Sequence, residues 1–245
     1  VKKERQKQIC EFCEKEIQFE SVTMAGVPFR LPSKEGHEEC IKQLAEKRAN
    51  EEKRFREAER VRWVEERISA GFAGANVSTE GKTFAQFKQD QGNASALTEL
   101  QSWRFPEKGI CLMGSPGTGK THLMVALAMH CGRELHMPFR FLCVPDWTDL
   151  LRTGDFQTTE ALITNASEIP ILFLDDLGAE HVTDFVEAKL CRVLNARAEF
   201  KRPTFISTNL REESMQKLFT ERTFSRLHAL AYFVLVDSID RRIER

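Results

Sequence analysis

Five short apolar runs punctuate the chain from residue 109 onward: Gly109-Ile110-Cys111-Leu112-Met113, Phe139-Arg140-Phe141-Leu142-Cys143-Val144, Ile171-Leu172-Phe173-Leu174, Thr204-Phe205-Ile206-Ser207 and Tyr232-Phe233-Val234-Leu235-Val236. Runs this short and continuous, bounded by polar residues, read as strands buried on both faces. Between them, helical spacing predicts helices over Thr121 to Ala128, Pro145 to Leu151, about Thr158 to Ala166, Val182 to Phe200, Glu212 to Phe219 and Phe224 to Leu230. Such alternation predicts an α/β fold built on a five-stranded, mostly parallel sheet covered by helices on both sides.

The upstream pattern is different. Residues 38–68 contain no Gly or Pro and are dense in Glu, Lys, Arg and Ala. Their apolar positions, Ile41, Leu44, Phe55, Ala58, Val61, Val64 and Ile68, recur three or four apart except across the gap from Leu44 to Phe55. This predicts a long helix with a broken apolar stripe, roughly 40–45 Å in length at 1.5 Å per residue. Two readings fit it: a solvated helix lying loosely on its own domain, or a spacer that docks a partner protein. Gly71, Gly74 and Gly81, set among polar residues, predict a linker over 71–81. Phe84 and Phe87 read as plugs on the body that follows, and a helix from about Ala94 to Trp103 ends before Pro106. The expected organisation is a small module with its charged helix over 1–70, the linker, and an α/β domain over 82–245.

Charge and cysteine content narrow the picture. With 36 Lys and Arg against 37 Asp and Glu, the formal net charge is −1, so any nucleic-acid contact must come from local patches. No stretch approaches the ~18–20 apolar residues of a membrane-spanning helix, and the first residues carry no apolar signal core, so a cytoplasmic protein with no membrane partner is expected. Seven cysteines at no regular disulfide spacing suggest reduced thiols. Cys111, Cys131, Cys143 and Cys191 lie in apolar surroundings and read as core residues. Cys10-Glu11-Phe12-Cys13 and His37-Glu38-Glu39-Cys40 are different, since each supplies a pair of ligands at two-residue spacing. Cys10, Cys13, His37 and Cys40 would close a tetrahedral structural Zn²⁺ site. Gly26, Pro28, Pro32 and Gly36 between the pairs predict a loop or short hairpin with little core of its own, the situation in which a metal supplies folding energy. The alternative is unrelated thiols beside a surface histidine.

The sharpest chemical signal is Gly114-Ser115-Pro116-Gly117-Thr118-Gly119-Lys120-Thr121, a glycine, four residues, then Gly-Lys-Thr, between a predicted strand and a predicted helix. In that context the glycines let successive backbone N–H groups turn inward on phosphate oxygens. Lys120 would reach the β- and γ-phosphates, Thr121 would offer its hydroxyl to Mg²⁺, and the helix N-terminus adds positive potential. Residues Gly114 to His122 are therefore candidate cofactor-binding positions for ATP. Asp175 and Asp176 end the third buried run, where Asp175 would serve Mg²⁺ and Asp176 would orient or deprotonate the attacking water. The Asp176 side chain is one methylene shorter than glutamate, which predicts slow turnover. Asn209, closing Ser207-Thr208-Asn209, could hydrogen-bond the γ-phosphate or the water, although Asn is also an ordinary turn residue. Arg222 and Arg226 lie four apart on one helix face and either present a guanidinium to phosphate or are plain surface arginines.

In this order, Gly114–Thr121, Leu174-Asp175-Asp176-Leu177-Gly178-Ala179-Glu180, Ser207-Thr208-Asn209 and Glu221–Leu227 resemble the AAA+ P-loop ATPases of the bacterial replicative helicase loader type (DnaC and DnaI), with the IstB-type transposition ATPases as near relatives. The resemblance spans about residues 82–245. It implies Lys120 and Thr121 on ATP and Mg²⁺, Asp175 and Asp176 as the Walker B pair, Asn209 as sensor 1, Arg226 as an arginine finger acting in trans, and Arg242 as sensor 2. Arg222 and Arg241 remain alternatives for the last two roles. It also implies self-association, a hexameric replicative helicase of the DnaB type gripped by the zinc-bearing module, and single-stranded DNA as partners. Two other functions suit the same residues: a transposition helper assembling on duplex DNA, or a zinc-centred adaptor using ATP as a switch.

Overall fold

A computed structural model describes residues 10, 14–16, 19–24, 27–32, 38–179, 182–241 and 243. The chain divides into two compact units, 1–62 and 63–245. In the first unit, β1 (Phe19–Met24) and β2 (Val27–Pro32) form an antiparallel hairpin in which Phe19 faces Pro32 and Met24 faces Val27. Of the loop and hairpin expectations, the hairpin is the one found. A two-stranded sheet has only edge strands, which is why Pro28 and Pro32 are tolerated. The helix α1 (Glu38–Gly71) begins in this unit, and its residues 45–62 are exposed on every side. Phe55, Ala58 and Val61 lie in that stretch but stay exposed, so propensity and i,i+4 pairs such as Arg56 with Glu52 hold it helical.

The last turns of α1 belong to the second unit. Val64 and Ile68 pack on its core, Arg67 Nη1 donates to the His136 carbonyl at 2.8 Å, and Arg133 pairs with Glu65 at 3.3 Å. The 71–81 stretch is closely held: Phe72, Ala75 and Val77 are partly buried against the same core. Gly71, Gly74 and Gly81 thus alternate with apolar residues that pack on the core.

Next come α2 (Ala94–Ser102), β3 (Gly109–Met113), α3 (Lys120–Arg133), β4 (Phe139–Cys143), α4 (Val144–Thr153), α5 (Phe156–Glu168), β5 (Ile171–Asp175), α6 (Asp184–Glu199), β6 (Thr204–Thr208), α7 (Glu212–Leu218), α8 (Glu221–Leu230) and β7 (Ala231–Leu235). Each expected strand and helix has its counterpart within a few residues. The sheet order is β4-β5-β6-β3-β7, with every pairing parallel. Central strands β3, β5 and β6 are buried at every position, whereas the edges β4 and β7 are half-open.

Successive strand residues point to opposite faces, so the sheet builds two cores. On one face Ile110, Leu112, Phe141, Phe173 and Phe205 meet α2, α3 and the end of α1; on the other Cys111, Met113, Leu172, Leu174 and Ile206 meet α4, α5, α6 and α8. Phe141, Phe173 and Phe205 stack across β4, β5 and β6 with centroids 5.9 and 5.0 Å apart, and Trp103 closes the row edge-on to Phe205 at 5.0 Å. The second core also holds Arg197, which is fully buried. Its guanidinium donates to Thr204 Oγ1 and to the carbonyls of Ala166, Ile169, Pro170 and Pro203, at 2.7–3.3 Å. These are carbonyls at strand starts and helix ends, where the regular hydrogen-bond pattern stops, and one cation gathers them; Pro203 O also accepts from Leu172 N.

Candidate nucleotide site

Parallel strands bring all their C-terminal ends to one edge, and the order β5-β6-β3 decides which ends are neighbours. The loop after β3 therefore lies beside the end of β6, which lies beside the end of β5. Gly114 N donates to the Thr208 carbonyl at 3.3 Å and Leu177 N to that of Ser207 at 2.9 Å, tying the three turns together.

Gly117 and Gly119 have φ of +80° and +94°, a region costly for residues bearing a Cβ. Space forbids one as well: a Cβ on Gly117 would stand 1.7 Å from the Asp240 carboxylate, and on Gly119 2.8 Å from the Phe87 ring. Thr118 is buried and its hydroxyl donates back to the Ser115 carbonyl at 3.0 Å, while Ser115 and Pro116 face solvent. Lys120, the first residue of α3, is buried, and its ammonium donates to Gly114 O and Ser115 O at 2.8 Å each and to Asn209 Oδ1 at 2.9 Å. Asn209 in turn donates to Asp176 Oδ1 at 3.5 Å. One chain of polar contacts thus joins loop, β6 and β5.

Asp175 is buried at the end of β5. Its Oδ1 accepts from Thr121 at 3.2 Å and from the Ser207 hydroxyl. Burial raises its pKa above the ordinary carboxylate value and the charge of Asp176 adds to this, against the hydrogen bonds of Ser207 and Thr121 and the charge of Lys82. A buried carboxylate held against a threonine hydroxyl is a fitting Mg²⁺ environment, because a cation would relieve the desolvation. Asp176 takes a left-handed φ of +57°, and its N–H donates to Ser207 Oγ at 3.0 Å. Asp is among the few residues that tolerate this backbone, and such outliers persist where neighbours over-determine them.

Lys82, Pro116, Gly117, Gly119, Lys120, Thr121, His122, Asp176 and Asn209 line a cleft of about 210 Å³. A larger cleft of about 440 Å³ lies elsewhere, along β4, but its walls are mostly apolar and its one cation, Arg140, already donates to Ala70 O, Ala73 O and Asn165. Charge, more than volume, marks the smaller cleft as the phosphate site. The glycine cradle, buried lysine and Thr121–Asp175 pair fit ATP with Mg²⁺.

His122 lies on the cleft wall with Nε2 2.8 Å from the Thr83 carbonyl and its ring edge-on to Phe87 at 5.2 Å, so it braces the loop before the domain core. Arg226 is exposed on α8, a helix capped by Thr220, and its Nε donates to Asn195 at 2.7 Å; it is not among the residues lining the cleft of its own chain. Arg241 N donates to the Gly117 carbonyl at 3.2 Å and its guanidinium pairs with Asp90 at 2.6 Å. Arg242 lies outside the described residues, as do Cys13 and His37 of the zinc set. Of that set, Cys10 is buried and Cys40 half-buried, and among the described residues no group of three or more potential ligands is placed to hold a metal. Among the described residues, no helix is long and apolar enough to cross a membrane.

Two contributors were given no role from the sequence. Ser207 was visible only as the start of Ser-Thr-Asn, yet it holds both Asp175 and the Asp176 amide; the β5–β6 neighbour relation needed to see this is tertiary. Lys82 stands far ahead of the phosphate loop in sequence and belongs to no motif.

A family model, described as IstB-like ATP binding protein, matches residues 30–230. Among curated relatives, the phage-like element PBSX protein XkdC of Bacillus subtilis is 33% identical over 118 residues, covering 46% of this chain and 44% of the relative. The replicative helicase loader DnaI of the same organism is 31% identical over 115 residues, 46% of this chain and 37% of the relative. The match thus spans less than half the length of either relative. In three dimensions the crystal structure of DnaI superposes with a TM-score of 0.58 at 24% identity, covering 68% of this chain and 95% of that one, a likeness of fold. With its model covering most of the residues, the chain belongs to the IstB-like ATP-binding protein family.

Proposed function

We propose that this chain is an ATP-dependent loader of a hexameric replicative helicase of the DnaB type, helping to place the ring on single-stranded DNA. The observation that carries the reading is the convergence of Lys120, the Thr121–Asp175 pair, Asp176 and Asn209 on one cleft, in a chain whose relatives include a replicative helicase loader. Bound Mg²⁺ would supply charge neutralisation at the phosphates. The chain's own residues would do the rest. Backbone N–H groups of Gly117–Thr121 bind phosphate oxygens, and Lys120 exchanges its main-chain acceptors for the β- and γ-oxygens. Asp175 and Thr121 hold the cation, and Asp176 orients the attacking water or takes its proton, with Asn209 against it as sensor. Arg226, exposed on α8, would reach the site of a neighbouring subunit, and Arg242 would act as sensor 2. The N-terminal module would grip the helicase, its fold held by Zn²⁺ on Cys10, Cys13, His37 and Cys40; the ligand spacing and the small hairpin between the pairs support this.

The family match favours a second reading, a transposition helper that assembles on duplex DNA. Affinity capture from extract of the source cell with ATP distinguishes them. Recovery of the replicative helicase supports the loader, and recovery of a transposase without helicase overturns it. Metal analysis tests the module: about one Zn²⁺ per chain, lost in Cys40→Ser together with helicase capture, is expected, and a zinc-free protein that still captures helicase overturns it.

A further inference from the structure

We infer that Lys82 is a second lysine of the nucleotide site, a contact for the terminal phosphate of ATP delivered by the segment that precedes the domain core. The inference rests on the ATP reading above and extends it to a residue outside every motif.

Lys82 is half-buried and lines the same cleft as Lys120, Thr121, Asp176 and Asn209. Its position is built rather than incidental. Lys82 N donates to the Thr79 carbonyl at 3.3 Å, and the next residue, Thr83, is fixed twice: its carbonyl lies 2.8 Å from His122 Nε2, and its Oγ1 accepts from Gln86 N at 3.3 Å. Four residues on, Phe87 is buried against the His122 ring and occupies the space where a Cβ on Gly119 would stand. The segment just after Lys82 is thereby clamped to the phosphate loop and the first turn of α3, while a turn at Thr79 fixes the chain just before it. Lys82 and Asp175 also sense each other's charge: burial lowers the Lys82 pKa and the Asp175 carboxylate counteracts it.

Charge balance gives the lysine a task. Asp176 lines the cleft and Asp175 stands beside it on Thr121, two carboxylates facing a strongly anionic ligand against the single ammonium of Lys120. Lys82 is the second lysine lining the cleft and offsets one of these charges. A second ammonium lining the cleft, carried by a different segment from Lys120, would favour the ligand with the extra phosphate, making Lys82 a discriminator of ATP from ADP.

The test is equilibrium binding of fluorescent ATP and ADP analogues, with Mg²⁺, to full-length wild type, Lys82→Ala, Lys82→Met and Lys82→Arg. Loss of one charge-assisted hydrogen bond predicts roughly 10- to 100-fold weaker ATP binding in Lys82→Ala and Lys82→Met, with a much smaller change for ADP. Lys82→Arg should keep most of the preference. Lys82→Met retains the aliphatic stem, so agreement between it and Lys82→Ala assigns the loss to charge. Unchanged ATP binding in Lys82→Met, or equal weakening of ATP and ADP, overturns the inference. Failure of the underlying reading looks different: the wild type itself would bind no ATP, or Lys120→Ala would bind it normally.

Discussion

Single residues carry much of this molecule's specification, and Arg197 does so with no role in the cleft. It is fully buried with no acidic partner among its hydrogen bonds, and burial, with the nearby charge of Arg202, lowers its pKa to about 9. At neutral pH it remains a cation because its donors meet five acceptors from two segments of the chain, 166–170 and 203–204. Arg197→Leu would remove the guanidinium partner of the Ala166, Ile169 and Pro170 carbonyls and of Thr204 Oγ1, leaving Pro203 O with its bond from Leu172 N. A loss of roughly 4 kcal/mol or more is expected, at the high end for one substitution, measured by urea denaturation. Asp90 plays a similar part at the surface. Its carboxylate accepts from Ser238, Arg241 and the amides of Gly92 and Asn93, and the Ser238 hydroxyl leads these in holding its pKa below the ordinary value. A carboxylate with a lowered folded pKa contributes stability above its unfolded pKa and loses it as pH falls through the folded one. The melting temperature of Asp90→Asn should therefore lie below wild type at pH 7, and the gap should close as pH falls below about 4. A gap independent of pH would mean that the charge is irrelevant.

Among elements, the central strands are the ones the pattern of apolar residues made plainest. Continuous runs at β3, β5 and β6 could be read directly because both faces are buried. Their order in the sheet could not, since nothing local says that β6 inserts between β3 and β5. That insertion is what brings Asn209 to Lys120 and Ser207 to Asp175. Phosphate-loop chemistry was legible because the glycines, lysine and threonine are contiguous. The Lys82 wall was not, being joined to the loop only through Thr83, Phe87 and His122. The 71–81 stretch shows the same limit: its glycines signal a break in the helix, while the packing of Phe72, Ala75 and Val77 comes from contacts distant in sequence. One element-level consequence is open to measurement. Phe173 sits at the middle of the aromatic row, touching Phe139, Phe141 and Phe205 across three strands. Phe173→Ala should cost about 3–5 kcal/mol by urea denaturation, as expected for a large buried aromatic; a change below 1 kcal/mol would contradict the packing.

For the molecule as a whole, hydrolysis is expected to depend on assembly. The cleft of one chain offers Lys120 and Lys82 as its lysines, while Arg226 is exposed and donates to Asn195. A finger supplied by a neighbour is worth about 10³–10⁵ in rate in related phosphoryl-transfer systems. Arg226→Ala and Lys120→Ala proteins, each inactive alone, should recover part of the activity when mixed on single-stranded DNA. If the mixture stays inactive while assembly is confirmed, Arg226 does not act in trans.

The central claim is that the Gly114–Thr121 loop and the β5 carboxylates form a working ATPase site, and Asp176→Asn tests it most directly. ATP binding and phosphate release should be measured together, on wild type and variant, with single-stranded DNA present. The account predicts slow release by wild type, and a variant that binds ATP as tightly yet releases phosphate at least about 100-fold more slowly. Phosphate release by Asp176→Asn at the wild-type rate would contradict it.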